Sequence, residues 1–235
     1  MTQPHHVFLT GATGYIGSRL AAELVRRGHL VRALVRPDSE SRRPAGTVPV
    51  LGDALDRTTY AGQVAPADTF VHLVGVSHPG PAKADQFQSI DLASAREAVA
   101  AAQGAQIRHF VYISVAHPAP VMKEYIAARS EAETLIRASG MNATVLRPWY
   151  VLGPGHRWPI LLLPLYWLGE LVPATRAGAR RLGLVTLQQT IDALVRAVED
   201  PPSGMRIVAV PDIRGARPLR PSVRLPIRPS QSAGM

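Results

Sequence analysis

The chain has no cysteine among its 235 residues, which excludes a disulfide framework and a thiolate metal site. Its eight histidines never fall into the HExxH pattern, and the pair His5-His6 at the start is expected to be solvated rather than ligating. Aromatic residues make up only 6%, and the 17 acidic side chains are outnumbered by 26 basic ones. The conspicuous apolar stretch, Pro159 to Pro173, is shorter than the roughly 20 residues a membrane span needs, and it contains Pro164 and Glu170. A short polar lead runs straight into the first apolar run without the pattern of a signal peptide, so the expected location is the cytoplasm. A chain of this length can bury a substantial core, and a soluble domain with a small appended lobe is expected.

The most informative stretch comes first: His6-Val7-Phe8-Leu9-Thr10-Gly11-Ala12-Thr13-Gly14-Tyr15-Ile16-Gly17. A strand-length apolar run ends at Thr10, three glycines follow at a spacing of three, and Ser18 to Arg27 has the periodicity of an amphipathic helix. Gly11 suits a tight turn, Gly14 a close approach of backbone to a pyrophosphate, and Gly17 close packing of helix on sheet. A diphosphate there would meet free N–H groups and the positive end of a helix dipole. The expected ligand is a dinucleotide held by Thr10, Gly11, Thr13, Gly14, Tyr15, Ile16 and Gly17.

Arg36 ends the β-rich run Leu30 to Val35, about 20 positions beyond the turn, where an NAD site carries an acidic residue. A guanidinium pairs with a 2′-phosphate through two parallel hydrogen bonds, so NADP(H) is the expected cofactor. Asp38 keeps NAD(H) open, and a solvated basic loop with Arg42 and Arg43 is the plainer alternative.

With these motifs and those that follow them, the chain resembles the short-chain dehydrogenase/reductase superfamily, in its extended and atypical branch, from about Val7 to Pro211. By that resemblance, Asp53 and Ala54 in Gly52-Asp53-Ala54-Leu55-Asp56 follow the third strand, with Asp53 near the adenine amino group. Val74 and Gly75 close the fourth strand beside the ribose. Phe110-Val111-Tyr112-Ile113-Ser114 ends in the active-site serine. Pro148 and Val151, in Leu146-Arg147-Pro148-Trp149-Tyr150-Val151-Leu152, approach the nicotinamide. Independently of the family, apolar runs at Val7 to Thr10, Leu30 to Val35, Val48 to Leu51, Thr69 to Val74, His109 to Ser114 and Ala143 to Leu146 alternate with helical stretches, one of them the alanine-rich Ile90 to Gly104. That is the pattern of an α/β, doubly wound parallel sheet, a Rossmann fold, with ligands beyond the carboxyl ends of its strands.

Catalysis in this superfamily uses a tyrosine and, four residues later on the same helix face, a lysine. Here the candidates are Tyr125 and Arg129, with Ser114 eleven residues before Tyr125. Arg129 keeps a fixed positive charge beside the phenol and donors for the cofactor ribose, but it cannot lose a proton. Lys123 would face elsewhere on the helix. Apart from chemistry, Ser114 reads as a strand-end hydroxyl capping a loop, and Tyr125 as a half-buried cleft wall.

The dinucleotide-binding core is expected over residues 1–155, a small apolar substrate lobe over 156–185, and a helix and strand returning to the core over 186–212. From Ile213 onward five arginines, four prolines and no acidic residue predict an extended basic tail, which supplies five of the nine net positive charges. It has no aromatic to stack on bases, so no specific nucleic acid is expected. The apolar segment suits packing within the lobe, the wall of a pocket for a small hydrophobic substrate, or weak membrane-surface or subunit contact through 159–181. Two functions follow: an NADP-dependent oxidoreductase acting on a hydrophobic carbonyl, alcohol or quinone, and an NADP(H)-binding regulatory or scaffold protein similar to NmrA-like proteins or a complex I accessory subunit. A nucleotide-sugar epimerase fits less well, because the second lobe is short. Protein partners and an oligomer stay open.

Overall fold

The computed structural model describes residues 3–77, 79–155 and 173–215. Seven strands, β1 (His6–Thr10), β2 (Leu30–Val35), β3 (Val48–Leu51), β4 (Thr69–His72), β5 (His109–Ile113), β6 (Asn142–Arg147) and β9 (Met205–Ala209), form one sheet in the order β3-β2-β1-β4-β5-β6-β9. Every neighbouring pair in it is parallel. The chain winds outward from β1 to β3, then returns to the other side of β1 to lay down β4. The carboxyl ends of β1 and β4 therefore border the switch point where a crevice opens.

Sequence composition explains the two faces of this sheet. On one, Phe8, Phe70 and Phe110 are register partners across β1, β4 and β5, with ring centroids 5.1 and 5.3 Å apart. Three of the four phenylalanines thus form one buried ladder, which fills the layer so fully that the covering helices carry small residues. Helix α3 (Ala93–Gly104) presents Ala95, Ala98 and Ala102, and α4 (Lys123–Ala138) presents Ala128 and Ala132. Close packing of this kind leaves no room for an added methylene without strain. On the other face α1 (Gly17–Arg26) buries Leu20, Ala21 and Leu24 with Ile191, Leu194 and Val198 of α6 (Leu187–Glu199). A capping box starts α6, in which the Thr186 hydroxyl accepts from Gln189 N and the Gln189 side chain accepts from Thr186 N.

Three boundaries differ from the sequence reading. The helix expected from Ile90 begins earlier, as a short turn α2 (Ala84–Gln86) and a π-helical turn (Phe87–Leu92) that runs into α3. Tyr150 to Leu152, assigned to the core, form β7, which pairs in parallel with β8 (Leu184–Thr186) in a separate two-stranded sheet. The lobe therefore starts before 156, and its described helix is α5 (Pro173–Arg181). The extended tail does not begin at Ile213: α7 (Val210–Gly215) carries that side chain fully into the core, and Arg214 Nε donates to Leu184 O at 2.7 Å. Val210 and Ile213 are both buried, but one apolar pair at i, i+3 broken by Pro211 is too short for a periodic signal, so this turn of helix escaped sequence reading. The apolar residues 159–172 and the basic residues 216–235 lie outside the described residues.

A buried polar contact ties the end of β1 to β4. His72 Nδ1 stands 2.8 Å from Thr10 Oγ1, and Nε2 stands 3.3 Å from Ser94 Oγ in α3. Burial, reinforced by the charge of Arg129, pushes the His72 imidazole down to about 3. The unfolded chain, with an ordinary value near 6.5, binds a proton that the folded chain refuses, so this residue withdraws stability as pH falls from about 6.5 toward 3. The withdrawal is about 1.4 kcal/mol per pH unit inside that window. Urea unfolding between pH 7 and 4 checks it: His72→Gln should unfold with a shallower pH dependence than the wild type, and equal slopes would remove His72 as the cause.

Candidate functional site

The turn after β1 is built from its glycines. Gly11 has φ +77°, and a Cβ there would stand 2.9 Å from the Leu73 carbonyl carbon, so only glycine lets β1 and β4 part at this distance. A Cβ at Gly17 would lie 2.0 Å from Gly11 O, so the start of α1 sits directly on the turn, as its spacing predicts. At Gly14 an added Cβ would meet only Gly11 O, at 3.2 Å, and otherwise open space. The first turn of α1 contains no acidic residue to compete with an anion. A dinucleotide fits this cradle: close backbone approach is possible at Gly14, beside a helix N-terminus.

Beyond the carboxyl ends of the strands lies a cleft of about 450 Å³. Gly11, Thr13 and Gly14 form its floor, Arg36 and Asp53-Ala54 one wall, and Val74-Gly75 the other. These eight residues, separated by up to 64 positions in sequence, were all expected to hold the cofactor. Lys83, Gln86 and Ile90 also line the cleft and were not expected. They follow β4 in a 3-10 turn (Pro81–Lys83), α2 and the π-helical turn, whose irregular backbone gives no simple period. The Arg36 side chain is 66% exposed, with Asp38 only at 4.0 Å. Asp53 Oδ1 accepts from Leu55 N at 3.0 Å. A larger hollow, about 500 Å³, lies between α1 and α6 and contains none of the residues expected to hold the dinucleotide.

The other expected residues lie elsewhere. Thr10 is buried and its hydroxyl faces His72. The Tyr15 ring lies under the Arg19 guanidinium at 4.5 Å, and its phenol abuts Gly153. Ile16 packs on the core beneath α1. Pro148 is buried and its carbonyl accepts from Ala116 N at 2.9 Å, while Val151 sits in β7.

The three catalytic candidates lie around α4, and their contacts differ from the sequence expectation. Arg129 is only 4% exposed, and its Nη2 lies 2.5 Å from Asp91 Oδ1. Its Nη1 donates to Ile113 O at 2.9 Å and to the Tyr112 hydroxyl at 3.2 Å. Asp91 Oδ2 accepts from Val76 N at 2.9 Å. Arg129 therefore donates to the protein itself, where donation to a cofactor ribose was expected. Burial pushes the Asp91 carboxyl up, opposed by the Arg129 charge and the Val76 amide. Arg129 also resists deprotonation despite its burial, through Tyr112, Tyr125 and Asp91. Burial pushes the Tyr112 phenol up to about 12, with Arg129 pulling the other way. The guanidinium also explains Gly75, since a Cβ there would lie 2.0 Å from Arg129 Nη2. Position 75 is thus both cleft wall and cover of the ion pair.

Tyr125, one turn before Arg129, is half-buried. Its ring centroid is 5.3 Å from the Arg129 guanidinium carbon and 5.0 Å from the Phe87 ring. One turn after Arg129 stands Glu133, 3% exposed, whose Oε1 accepts from Ser114 Oγ at 2.6 Å. Arg147 holds the same carboxylate through Nε at 3.0 Å and a shorter contact from Nη2. Sequence reasoning missed Asp91, Glu133 and Arg147 as site residues. The available signal was the i, i+4, i+8 series Tyr125, Arg129, Glu133, which places two charges on the buried face of one helix.

Removing one member of the Arg129–Asp91 pair leaves a buried charge without its counterion, at a cost of about 3–5 kcal/mol. Arg129→Ala should lower the urea midpoint accordingly, and the double change Asp91→Leu with Arg129→Met should recover most of the loss. A single variant as stable as the wild type would show that the pair is not isolated from water.

Residues 11–156 match the family described as NAD(P)H-binding. Ceramide reductase of Caulobacter vibrioides is 28% identical over 215 residues, 88% of this chain and 65% of that protein. The 4-hydroxy-2-methyl-3-oxo-4-farnesyl-3,4-dihydroquinoline-1-oxide ketoreductase of Stigmatella aurantiaca is 29% identical over 168 residues, 62% of this chain and 50% of that protein. This chain thus spans less than two thirds of the length of either relative. The crystal structure of the Bordetella bronchiseptica enzyme WbmH in complex with NAD+ shares the fold, with TM-score 0.66 and 22% identity over 88% of this chain and 76% of that one. Since the match runs through the glycine turn, the cleft walls and the helix that carries Tyr125 and Arg129, the chain belongs to the NAD(P)H-binding family.

Proposed function

We propose that this chain is an NADP(H)-dependent oxidoreductase acting on a hydrophobic carbonyl, alcohol or quinone-like substrate. One observation carries the reading: Arg129 lies directly behind Gly75 of the cleft wall, with Tyr125 on the same helix face. The helix thereby sets a permanent positive charge behind the cleft wall, with a phenol one turn before it. When bound, the nicotinamide supplies or accepts the hydride. Tyr125 exchanges the proton of the substrate oxygen, and the buried Arg129 charge favours an anionic oxygen nearby. Gly11, Thr13 and Gly14 would hold the diphosphate, and Arg36 a 2′-phosphate. The Arg36 fork suits that role because its exposed contact with Asp38 at 4.0 Å is too weak to hold it elsewhere. A hydrophobic substrate is supported by the names of two relatives, which include a ceramide and a farnesylated quinoline.

A second reading, an NADP(H)-binding regulator or scaffold without turnover, is favoured by the contacts of Ser114 and Arg129. Both side chains donate to the protein, Ser114 to Glu133 and Arg129 to Ile113 and Tyr112.

Calorimetric titration tests the cofactor. Arg36→Ala should weaken NADPH by about 1.5–3 kcal/mol, the range for a hydrogen bond to a charged group, and leave NADH nearly unchanged. Equal losses would take Arg36 away from the 2′-phosphate. Nicotinamide absorbance with a panel of hydrophobic ketones and quinones tests the chemistry. Tyr125→Phe should reduce turnover at least a hundredfold with NADPH affinity retained. If the wild type binds NADPH and turns over nothing in the panel, the regulator reading takes precedence.

A further inference from the structure

We propose that Ser114, Glu133 and His117 form a proton route between the substrate oxygen and solvent, replacing a route that Arg129 cannot provide. The proposal rests on the oxidoreductase reading above. A phenol that gives up its proton must regain one in each turnover. Arg129 cannot pass a proton, since its guanidinium stays charged and is held by Asp91, Ile113 O and Tyr112. On the next turn of the same helix, Glu133 Oε1 gathers three partners: Ser114 Oγ at 2.6 Å, Arg147 Nε at 3.0 Å and His117 Nε2 at 3.4 Å. Ser114 and Glu133 are buried, whereas the His117 side chain is 21% exposed and reaches water. The cluster therefore joins the expected active-site serine to a titratable group at the surface through one carboxylate oxygen. The His117 contact is long for a hydrogen bond, as catalytic contacts often are before the substrate is bound.

Among the described residues, the charged groups around the route are few. Arg147 on β6 and Arg129 on α4 flank Glu133, and Arg181 on α5 donates Nε to Pro118 O at 3.1 Å, next to His117. None of these arginines exchanges a proton near neutral pH, so His117 is the gate. In reduction, Tyr125 gives its proton to the substrate oxygen while the substrate carbon takes up hydride from the reduced nicotinamide. The tyrosinate is then recharged by one proton moving inward. The His117 imidazolium protonates Glu133, Glu133 protonates Ser114, Ser114 passes its hydrogen to the product hydroxyl, and the hydroxyl returns its own to Tyr125. The substrate has gained one hydride and one proton, and neutral His117 takes a proton from solvent. Oxidation runs the chain outward, the direction in which Ser114 already donates to Glu133.

The test compares wild type, His117→Gln and Glu133→Gln, all first checked for thermal stability and for NADPH affinity by calorimetry. With undecanone and menadione as substrates, His117→Gln should lower kcat at least tenfold, leave KM and NADPH affinity within twofold, and change the pH profile of reduction. For His117→Ala, added free imidazole should restore a large part of kcat, which a purely structural role would not allow. A readout without turnover comes from NMR of 15N-histidine-labelled protein free of cofactor, where Glu133→Gln should shift the His117 titration. An unshifted His117, or a His117→Gln variant with the wild-type rate and pH profile, overturns the route and leaves the oxidoreductase standing. Absence of turnover in the wild type, with NADPH bound, overturns the oxidoreductase reading and the route with it.

Discussion

The site depends on one buried ion pair. Arg129 and Asp91 come from α4 and the π-helical turn, and their remaining polar atoms reach Ile113 O on β5 and Val76 N after β4. Two charges taken out of water are costly unless their geometry and remaining hydrogen bonds compensate, so this contact tolerates little displacement of any of the four segments. It fixes the cleft wall at Val74-Gly75, demands glycine at position 75, and sets Tyr125 against Phe87. A lysine at 129 would present a compact ammonium with a different reach. The arginine fork instead spans Asp91, Ile113 and Tyr112 at once, which turns a position expected to serve the cofactor into a cross-brace.

Packing of the sheet serves the same end. The Phe8, Phe70 and Phe110 ladder fills the interior on the side of α3 and α4, and the alanines of both helices bring their backbones close to the sheet. That closeness carries Arg129 and Glu133 to within hydrogen-bond distance of the ends of β5 and β6, and Asp91 to Val76 N after β4. On the opposite face α1 and α6 share an aliphatic core, and Gly17 seats α1 on the turn. The two layers thus set different halves of the site: one face holds the phosphate cradle, and the other holds the ionisable side chains.

Much of this was legible beforehand because its signals are local. The run Leu30 to Val35 lies on the sheet as read, and that read from His109 to Ser114 does so as far as Ile113, since strands buried on both faces must be continuously apolar. The glycine spacing located the turn, and eight expected cofactor residues line one cleft. What failed to show was non-local. Nothing in the sequence near Asp91 marks it as the partner of Arg129, 38 positions away, and the single pair Val210 and Ile213 is too short to announce a last buried turn.

The sequence by itself determined the strand and helix order, the glycine turn and the end of the sheet at which the cleft opens, because backbone sterics and hydrophobic periodicity act within a few residues. Only the tertiary structure decided what the charged side chains do. Ser114 turned to Glu133 and Arg129 to Asp91 because burial makes each ion seek whichever counter-charge or donor the fold brings within about 3 Å, and that distance is set by helix packing rather than by spacing along the chain.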